Sequence, residues 1–253
     1  MNDFQTWIES RNSQWSNPTG FLAVTSINWL DENPQTFDDV SGSWWAVDHE
    51  VHAVGFEGAD ERVWNLELGS EITEPTSNGV LEIASRGGRI ILRPRNPQSP
   101  ALARFDGVRA FDYDPELLVT ANLVADEKRV GVSSFAGELG NNYESPGKLR
   151  FELKGETLEL VAFKRPDPKA LWVIFRDGTS GKTTYGTGRS ITATHLEGDQ
   201  WQIDFNKSAN FPCSYTDFAT CPLAPRENYL TAAIEGGEKT PPFRLTAAGL
   251  QDQ

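Results

Sequence analysis

The sequence predicts a mainly β protein, built as a single-domain antiparallel β-barrel or sandwich with a short N-terminal helix and long C-terminal loops. Over residues 20–165, short runs rich in β-branched and aromatic residues alternate with clusters of Gly, Pro, Asn and Asp. Separators such as Ser77-Asn78-Gly79 and Arg86-Gly87-Gly88 supply the positive φ angles that tight hairpin turns require. No long helical period interrupts this spacing, which is typical of a β-meander. A barrel and a sandwich both fit the pattern.

The individual elements follow from local patterns. Phe4, Trp7 and Ile8 recur at a spacing of three to four behind Asp3, a residue type that caps helices, so residues 3–13 are predicted to form a helix. Residues 21–30 are predicted to be a strand or a tight loop. The β-prone runs of the meander and of the C-terminal part are 43–47, 51–56, 63–68, 80–84, 90–93, 117–123, 149–153, 157–163, 171–174, 190–196, 201–205 and 229–234.

We predict one domain over residues 1–253, because all-β domains of this length are common and the Pro-rich stretches are too short to be linkers. Within it the sequence distinguishes the helix (3–13), the meander (20–165), a polar, motif-rich C-terminal part (170–240) and a tail (241–253). The tail has little periodicity and is expected to be loosely held.

The acidic composition of the chain makes some classes of binding partner unfavourable. The chain has 36 acidic and 23 basic residues and a net charge of -13, which repels phosphate backbones and anionic lipid headgroups. Nucleic acid and membrane partners are therefore not expected. No secretory signal and no apolar run of about 18 residues is visible, and two cysteines fit a reducing compartment, so the predicted location is the cytoplasm.

Residues 171–239 carry charged, amide, thiol and phenol groups at a density that packing alone does not require. We predict that loop 176–189, loop 206–225 and Glu238-Lys239 converge at one mouth of the barrel and bind a small polar or anionic molecule. Cationic side chains would hold the negative charge, and amides and carboxylates would orient it. The candidate ligand-binding residues are Arg176, Asp177, Thr179, Tyr185, Arg189, Asn206, Tyr215, Asn228 and Lys239.

Other interpretations fit the same residues. Loop 177–181 could be a simple turn over an ion pair of Asp177 or Asp204 with Arg176. An enzyme, such as a hydrolase or a thiol-dependent enzyme, could use Cys213 or Cys221 as nucleophile, or Asp204 and Glu238 as acid and base. A structural or protein-interaction role is a third alternative. Two cysteines and three scattered histidines do not make a zinc ligand set, and neither a metal nor a cofactor is expected.

Several motifs resemble those of the bacterial and archaeal family catalogued as domain of unknown function 1684. They are FRDGTSGKTTYGTGR (175–189), DFN (204–206), FPCSYTDFATCPLAPREN (211–228) and GGEK (236–239). The segments GFLAVTSINWLDE and FDGVRAFDYDPELLVTANL are also similar to the family, so the resemblance spans most of the chain. The resemblance implies a single-domain cytoplasmic enzyme or binding protein without an assigned activity. At 207–212 the chain has KSANFP where the family usually shows Arg-Ala-Tyr-Asn-Pro-Pro, so an aromatic role at Ala209 is not implied.

Overall fold

A computed structural model describes residues 3–253, with the side chain of Glu138 left out. The mainly β prediction is confirmed, and the helices are α1 (Asp3–Trp15) and α2 (Pro100–Arg104). The strands are β1 (Asn28–Trp29), β2 (Gln35–Phe37), β3 (Val40–Val47), β4 (Glu50–Val54), β5 (Arg62–Asn65), β6 (Glu71–Thr76), β7 (Gly79–Arg86), β8 (Arg89–Arg95), β9 (Leu118–Ser134), β10 (Gly137–Leu153), β11 (Glu156–Lys164), β12 (Ala170–Phe175), β13 (Arg189–His195), β14 (Gln200–Asp204), β15 (Ala209–Asn210), β16 (Phe243–Thr246) and β17 (Gly249–Asp252).

The C-terminal half forms a closed barrel of six antiparallel strands. Its order is β12-β11-β10-β9-β14-β13, and pairing of β12 with β13 closes the circle. On β11, Leu160 and Ala162 face one buried cluster, whereas Val161 and Phe163 face another. This alternation places the first pair inside the barrel and the second on its outer wall. A barrel, not a sandwich, is therefore the architecture of this half.

The N-terminal half contributes two four-stranded antiparallel sheets, β2-β3-β4-β5 and β1-β8-β7-β6. They enclose a common apolar cluster that includes Trp44, Phe56 and Leu81. Trp44 is fully buried and its neighbour Trp45 is only half-buried, as strand alternation requires.

The hairpin of β9 and β10 is longer than the barrel wall. Only residues 118–122 of β9 pair with β14, and only residues 147–153 of β10 pair with β11. Residues 211–224, called the covering loop below, pack between the outer half of this hairpin and the outer wall of the barrel. The covering loop therefore lies against the side of the barrel and not across its mouth.

Two local predictions are wrong. Residues 229–234 do not form a strand, because Tyr229 makes only an isolated bridge to Arg176 and the rest of the segment is irregular. The tail is not loose, because β16 and β17 form a hairpin whose Phe243 and Leu245 are buried in a cluster with Trp15. The predicted helix at 3–13 is confirmed and continues to Trp15.

Within residues 3–253, neither α1 nor α2 has the length and apolar character needed to cross a bilayer. Most of α1 is polar, and Trp15 is its one fully buried residue.

Candidate functional site

One end of the barrel is covered by residues 230–238, called the closing segment below. Its Ile234 belongs to the same buried cluster as Phe175 and Phe205 from the barrel interior. At Gly236 an added Cβ would lie 2.5 Å from a methyl group of Leu117 and 3.1 Å from the carbonyl oxygen of Phe205. Main chain therefore packs directly on the apolar filling of the barrel, which explains why a glycine is needed there.

An ion pair between Asp177 and Arg189 holds the closing segment in place. The guanidinium lies 3.3 Å from the carboxylate, and the side chains are 1% and 0% exposed. Arg189 donates to the carbonyls of Ile234 and Gly236, while Asp177 accepts from the N–H of Ile234 at 2.7 Å and from Thr179 Oγ1 at 2.8 Å. Burial lowers the pKa of Arg189 to about 10, and the charge of Asp177 opposes this, so Arg189 stays charged at neutral pH.

The turn interpretation paired Asp177 or Asp204 with Arg176. In the structure the partner of Asp177 is Arg189. Arg176 instead stacks on the ring of Tyr229, with 4.8 Å between its Cζ and the ring centroid. Lys239 similarly lies over the ring of an aromatic residue, Phe111, at 4.5 Å. Both cations pack on aromatic faces, a geometry that stabilises them by about 0.5–2 kcal/mol.

Asn228 connects two barrel strands through its side chain. Its Nδ2 donates to the carbonyls of Val161 and Ile174 at 2.9 and 2.8 Å, and its Oδ1 accepts from the N–H of Val161 at 2.7 Å. All three groups are buried. The amide therefore completes main-chain hydrogen bonding between β11 and β12 where the two strands diverge.

Asn206 has a comparable arrangement on the other side of the barrel end. Its amide exchanges hydrogen bonds of 2.8 Å with the N–H and carbonyl of Asp114 and donates to Asp204 at 2.9 Å. Asp204 also lies 3.6 Å from Lys207. Asp204 and Asn206 therefore fix the segment that leads into β9.

Glu238 is fully buried and its partner comes from the N-terminal helix. Its carboxylate forms an ion pair with Arg11 and accepts from the N–H of Asn210 at 2.9 Å. Arg11 also donates to the Asn210 carbonyl at 3.1 Å. The helix α1 is therefore attached to the C-terminal motifs by a buried charge pair that no sequence pattern indicated.

The two predicted phenols lie apart from the Asp177 network. The hydroxyl of Tyr185 accepts from Arg244, and Tyr215 packs its ring against Trp15 at a centroid distance of 4.4 Å. Burial raises the pKa of Tyr215, and the charge of Glu238 raises it further. The predicted ligand-binding residues are thus distributed over several separate contacts.

A cluster of charges on β7 and β8 was not anticipated. Glu82 is fully buried, and its carboxylate is shared by the guanidiniums of Arg86, Arg93 and Arg95. Even with Glu71, the exposed second partner of Arg86, cations outnumber carboxylates by three to two. The signal was present in the sequence, because Glu82 and Arg93 interrupt otherwise apolar strand runs and pair directly across the two strands.

Burial by itself raises the pKa of Glu82, but the charges and hydrogen bonds of Arg93 and Arg95 outweigh it and hold the pKa below its usual 4.5. Because the folded pKa is the lower one, this group stabilises the fold fully above pH 4.5 and loses that contribution as the pH falls through the folded pKa. The variant Glu82→Gln should therefore show a shallower fall in unfolding free energy between about pH 5 and 3. Urea unfolding at several pH values measures this, and equal slopes in both proteins would contradict it.

A cavity of about 230 Å³, called the α1 pocket below, lies between the Arg11–Glu238 ion pair and the charge cluster around Glu82. The pocket is lined by Arg11 and Arg95, by the ring of Trp15 from α1, and by the ring of Phe21 from the segment that follows α1. Asn210 is also in its wall, and the buried Oδ1 of this residue has no hydrogen-bond partner within residues 3–253. The residues around the pocket are Arg11, Gln14, Trp15, Asn17, Gly20, Phe21, Arg95, Asn210 and Pro212.

A larger cavity of about 650 Å³ lies between the two N-terminal sheets. Its wall includes the carboxylates of Asp38, Asp39 and Glu57, with Arg95 at one side. The carboxylate of Glu57 is already bonded to Ser41 Oγ and to the N–H of Ser77, each at 2.9 Å. This cavity is acidic and includes no residue of the C-terminal motifs, so the α1 pocket is the better match to the predicted anion site.

The fold and its buried charge network define a β-barrel protein with an appended N-terminal β region and a small cationic pocket between them. The chain belongs to a family of proteins of unknown function, DUF1684, whose model matches residues 103–239. Among solved structures it is similar to an uncharacterized protein of Haloarcula marismortui, determined by NMR in solution. The two are 33% identical over 55% of this chain and 78% of the other, with a TM-score of 0.46. No curated protein matches the chain.

Proposed function

We propose that the protein binds a small anionic molecule in the α1 pocket. The observation that carries the proposal is the excess of positive charge beside the pocket, where Arg86, Arg93 and Arg95 share the carboxylate of Glu82 and Arg86 also pairs with the exposed Glu71. Because Arg95 shares the Glu82 carboxylate with two other guanidiniums, an added anion that pairs with Arg95 would be stabilised there. The proposed site includes Asn210 and Pro212 of loop 206–225, but it lies away from the barrel mouth where the sequence placed the ligand.

Arg95 retains donors for such an anion. Its Nε and Nη2 donate to Glu82, and its Nη1 donates to the carbonyl of Thr19 at 2.6 Å. A guanidinium has five N–H groups, so two of them are left for a ligand. The ring of Phe21, 5.3 Å from the Arg95 Cζ, holds the guanidinium plane in position.

Asn210 supports a more specific ligand class. Its Nδ2 donates to the carbonyl of Lys239 at 2.8 Å, which fixes the amide orientation and leaves Oδ1 as a free acceptor. A buried acceptor without a donor costs about 1–3 kcal/mol. A ligand that combines a carboxylate or phosphate with a hydroxyl would satisfy both Arg95 and Asn210, so we favour a small hydroxy acid or phosphate ester.

The net charge and the two cysteines bear on the kind of partner and on the location that we propose. The net charge of -13 favours a small partner over nucleic acid or a membrane surface, because extended anionic surfaces are repelled. Cys213 and Cys221 are free thiols, which agrees with the cytoplasm as the proposed location.

Titration calorimetry with glycerate and inorganic phosphate tests the proposal, with glycerol as the uncharged control. Arg95→Gln should weaken binding of the anions at least tenfold, equivalent to about 1.4 kcal/mol. The matched control is Arg129→Gln, because Arg129 is 77% exposed and forms an ion pair with the exposed Glu144. This control should bind like the wild type.

Native mass spectrometry of freshly purified protein adds an independent measurement. A mass that is lost on denaturation in the wild type and absent in Arg95→Gln would support the site. Absence of saturable anion binding, together with equal native and denatured masses, would refute the proposal. Equal binding by wild type and Arg95→Gln would place the anion elsewhere and refute the site.

A further inference from the structure

The two cysteines of the covering loop lie side by side. The N–H of Cys213 donates to Sγ of Cys221 at 3.3 Å, and both cysteines belong to one buried cluster. Both are free, and they are 1% and 7% exposed. A disulfide needs an S–S distance of about 2.05 Å, so two cysteines that already touch through this hydrogen bond need only a local adjustment to form one.

Hydrogen-bond donors and cations surround this pair. Thr187 Oγ1 lies 3.6 Å from Sγ of Cys213, and Arg244 donates to the Cys213 carbonyl. Arg93 acts electrostatically on Cys221, and its buried Nη1 has no hydrogen-bond partner in the described part of the chain. Negative charge that develops on the Cys213 sulfur is therefore stabilised by the hydroxyl of Thr187 and the charge of Arg244, as in reactive cysteine sites.

We propose that Cys213 and Cys221 are a redox couple that a hydroperoxide oxidises to an intramolecular disulfide. The Cys213 thiolate attacks the peroxide; an S–O bond forms, the O–O bond breaks, and the leaving oxygen is protonated to an alcohol or water. The Cys221 sulfur then attacks the sulfenic acid; the S–S bond forms, the S–O bond breaks, and the hydroxyl departs with the Cys221 proton as water. Two thiols and one peroxide give one disulfide, one alcohol and one water.

The two sulfurs have different roles in this couple. The hydrogen bond from Cys221 lowers the pKa of Cys213; burial opposes this, and Thr187 and Arg244 lower the pKa further. The hydrogen bond to Cys213 and burial both raise the pKa of Cys221 well above its usual range. Because Thr187 Oγ1 lies 3.6 Å from the Cys213 sulfur and Arg244 binds the Cys213 carbonyl, we assign Cys213 as the nucleophile and Cys221 as the resolving thiol.

Treatment of the full-length protein with one equivalent of hydrogen peroxide tests the couple directly. After quenching in denaturant with N-ethylmaleimide, the intact mass should fall by two hydrogens without any maleimide label. A digest should contain the peptide linked between Cys213 and Cys221, and dithiothreitol should restore two labelled thiols. Two maleimide labels after peroxide, or oxidation without the linked peptide, would overturn the proposal.

Single variants test the assignment of roles. Cys221→Ser should stop at a sulfenic acid on Cys213 that dimedone traps, whereas Cys213→Ser should give no dimedone adduct on Cys221. Adducts of equal yield on both thiols would overturn the assignment. The wild-type experiment does not depend on these variants, so the disulfide proposal stays testable if one of them fails to fold.

Discussion

Replacing Arg189 by methionine is expected to lower the free energy of unfolding by about 3–5 kcal/mol. The substitution roughly keeps the side-chain volume but removes the cation from Asp177, whose side chain is fully buried. It also leaves the carbonyls of Ile234 and Gly236 without their donor. Since these contacts attach the closing segment, that segment should detach from the barrel end first.

Urea unfolding followed by tryptophan fluorescence measures this loss. The matched control is Arg150→Met, because Arg150 forms an ion pair with Glu159 in which the side chains are 54% and 33% exposed. Such a surface pair contributes about 0–1 kcal/mol. Adding Asp177→Asn to Arg189→Met should recover part of the loss, because it removes the uncompensated buried charge. Similar losses for Arg189→Met and the surface control would contradict the buried-pair argument.

Replacing Asn228 by leucine should cost at least about 3 kcal/mol, since each buried polar group left without a partner costs about 1–3 kcal/mol. The variant leaves three main-chain groups without a hydrogen-bond partner: the N–H and carbonyl of Val161 and the carbonyl of Ile174. Leucine has the same branched shape and number of side-chain heavy atoms as asparagine and is apolar, so a mere packing role for Asn228 would predict a smaller effect. The expected result separates hydrogen bonding from packing.

The measurement is again the urea midpoint, with Asn122→Leu as the control. Asn122 is an exposed asparagine on barrel strand β9, where substitutions usually change stability by no more than about 0.5 kcal/mol. Hydrogen exchange adds a local readout, because the Val161 amide should lose protection in Asn228→Leu and keep it in the control. A protected Val161 amide in the Asn228 variant would count against the proposed connection of β11 to β12.

Most strands could be predicted because their signals are local. A continuous apolar run such as Leu160-Val161-Ala162-Phe163 marks a strand with two buried faces, and glycine-containing turns mark strand ends. Closure of the barrel could not be predicted, because it depends on pairing β12 with β13 across an intervening loop. The hairpin at 243–252 escaped prediction because the packing of Phe243 and Leu245 on distant aromatic rings stabilises it.

The candidate site could be predicted less well than the strands. Polar groups are dense in residues 171–239, but this density arises largely from bonds within the fold, as at Asp177 and Asn228. A side chain that serves the main chain and one that serves a ligand look alike in a sequence. The cations of the α1 pocket, Arg11 and Arg95, lie far from that region in the chain and meet it only after folding.

The contact between Arg11 and Glu238 has a consequence for how the family diversifies. Glu238 lies within the matched residues 103–239, whereas Arg11 lies outside them. A descendant that lost the N-terminal helix would inherit a buried carboxylate without its cation. Selection should then replace position 238 or supply a new basic residue nearby, so the length of a homologue and its residue at this position should covary.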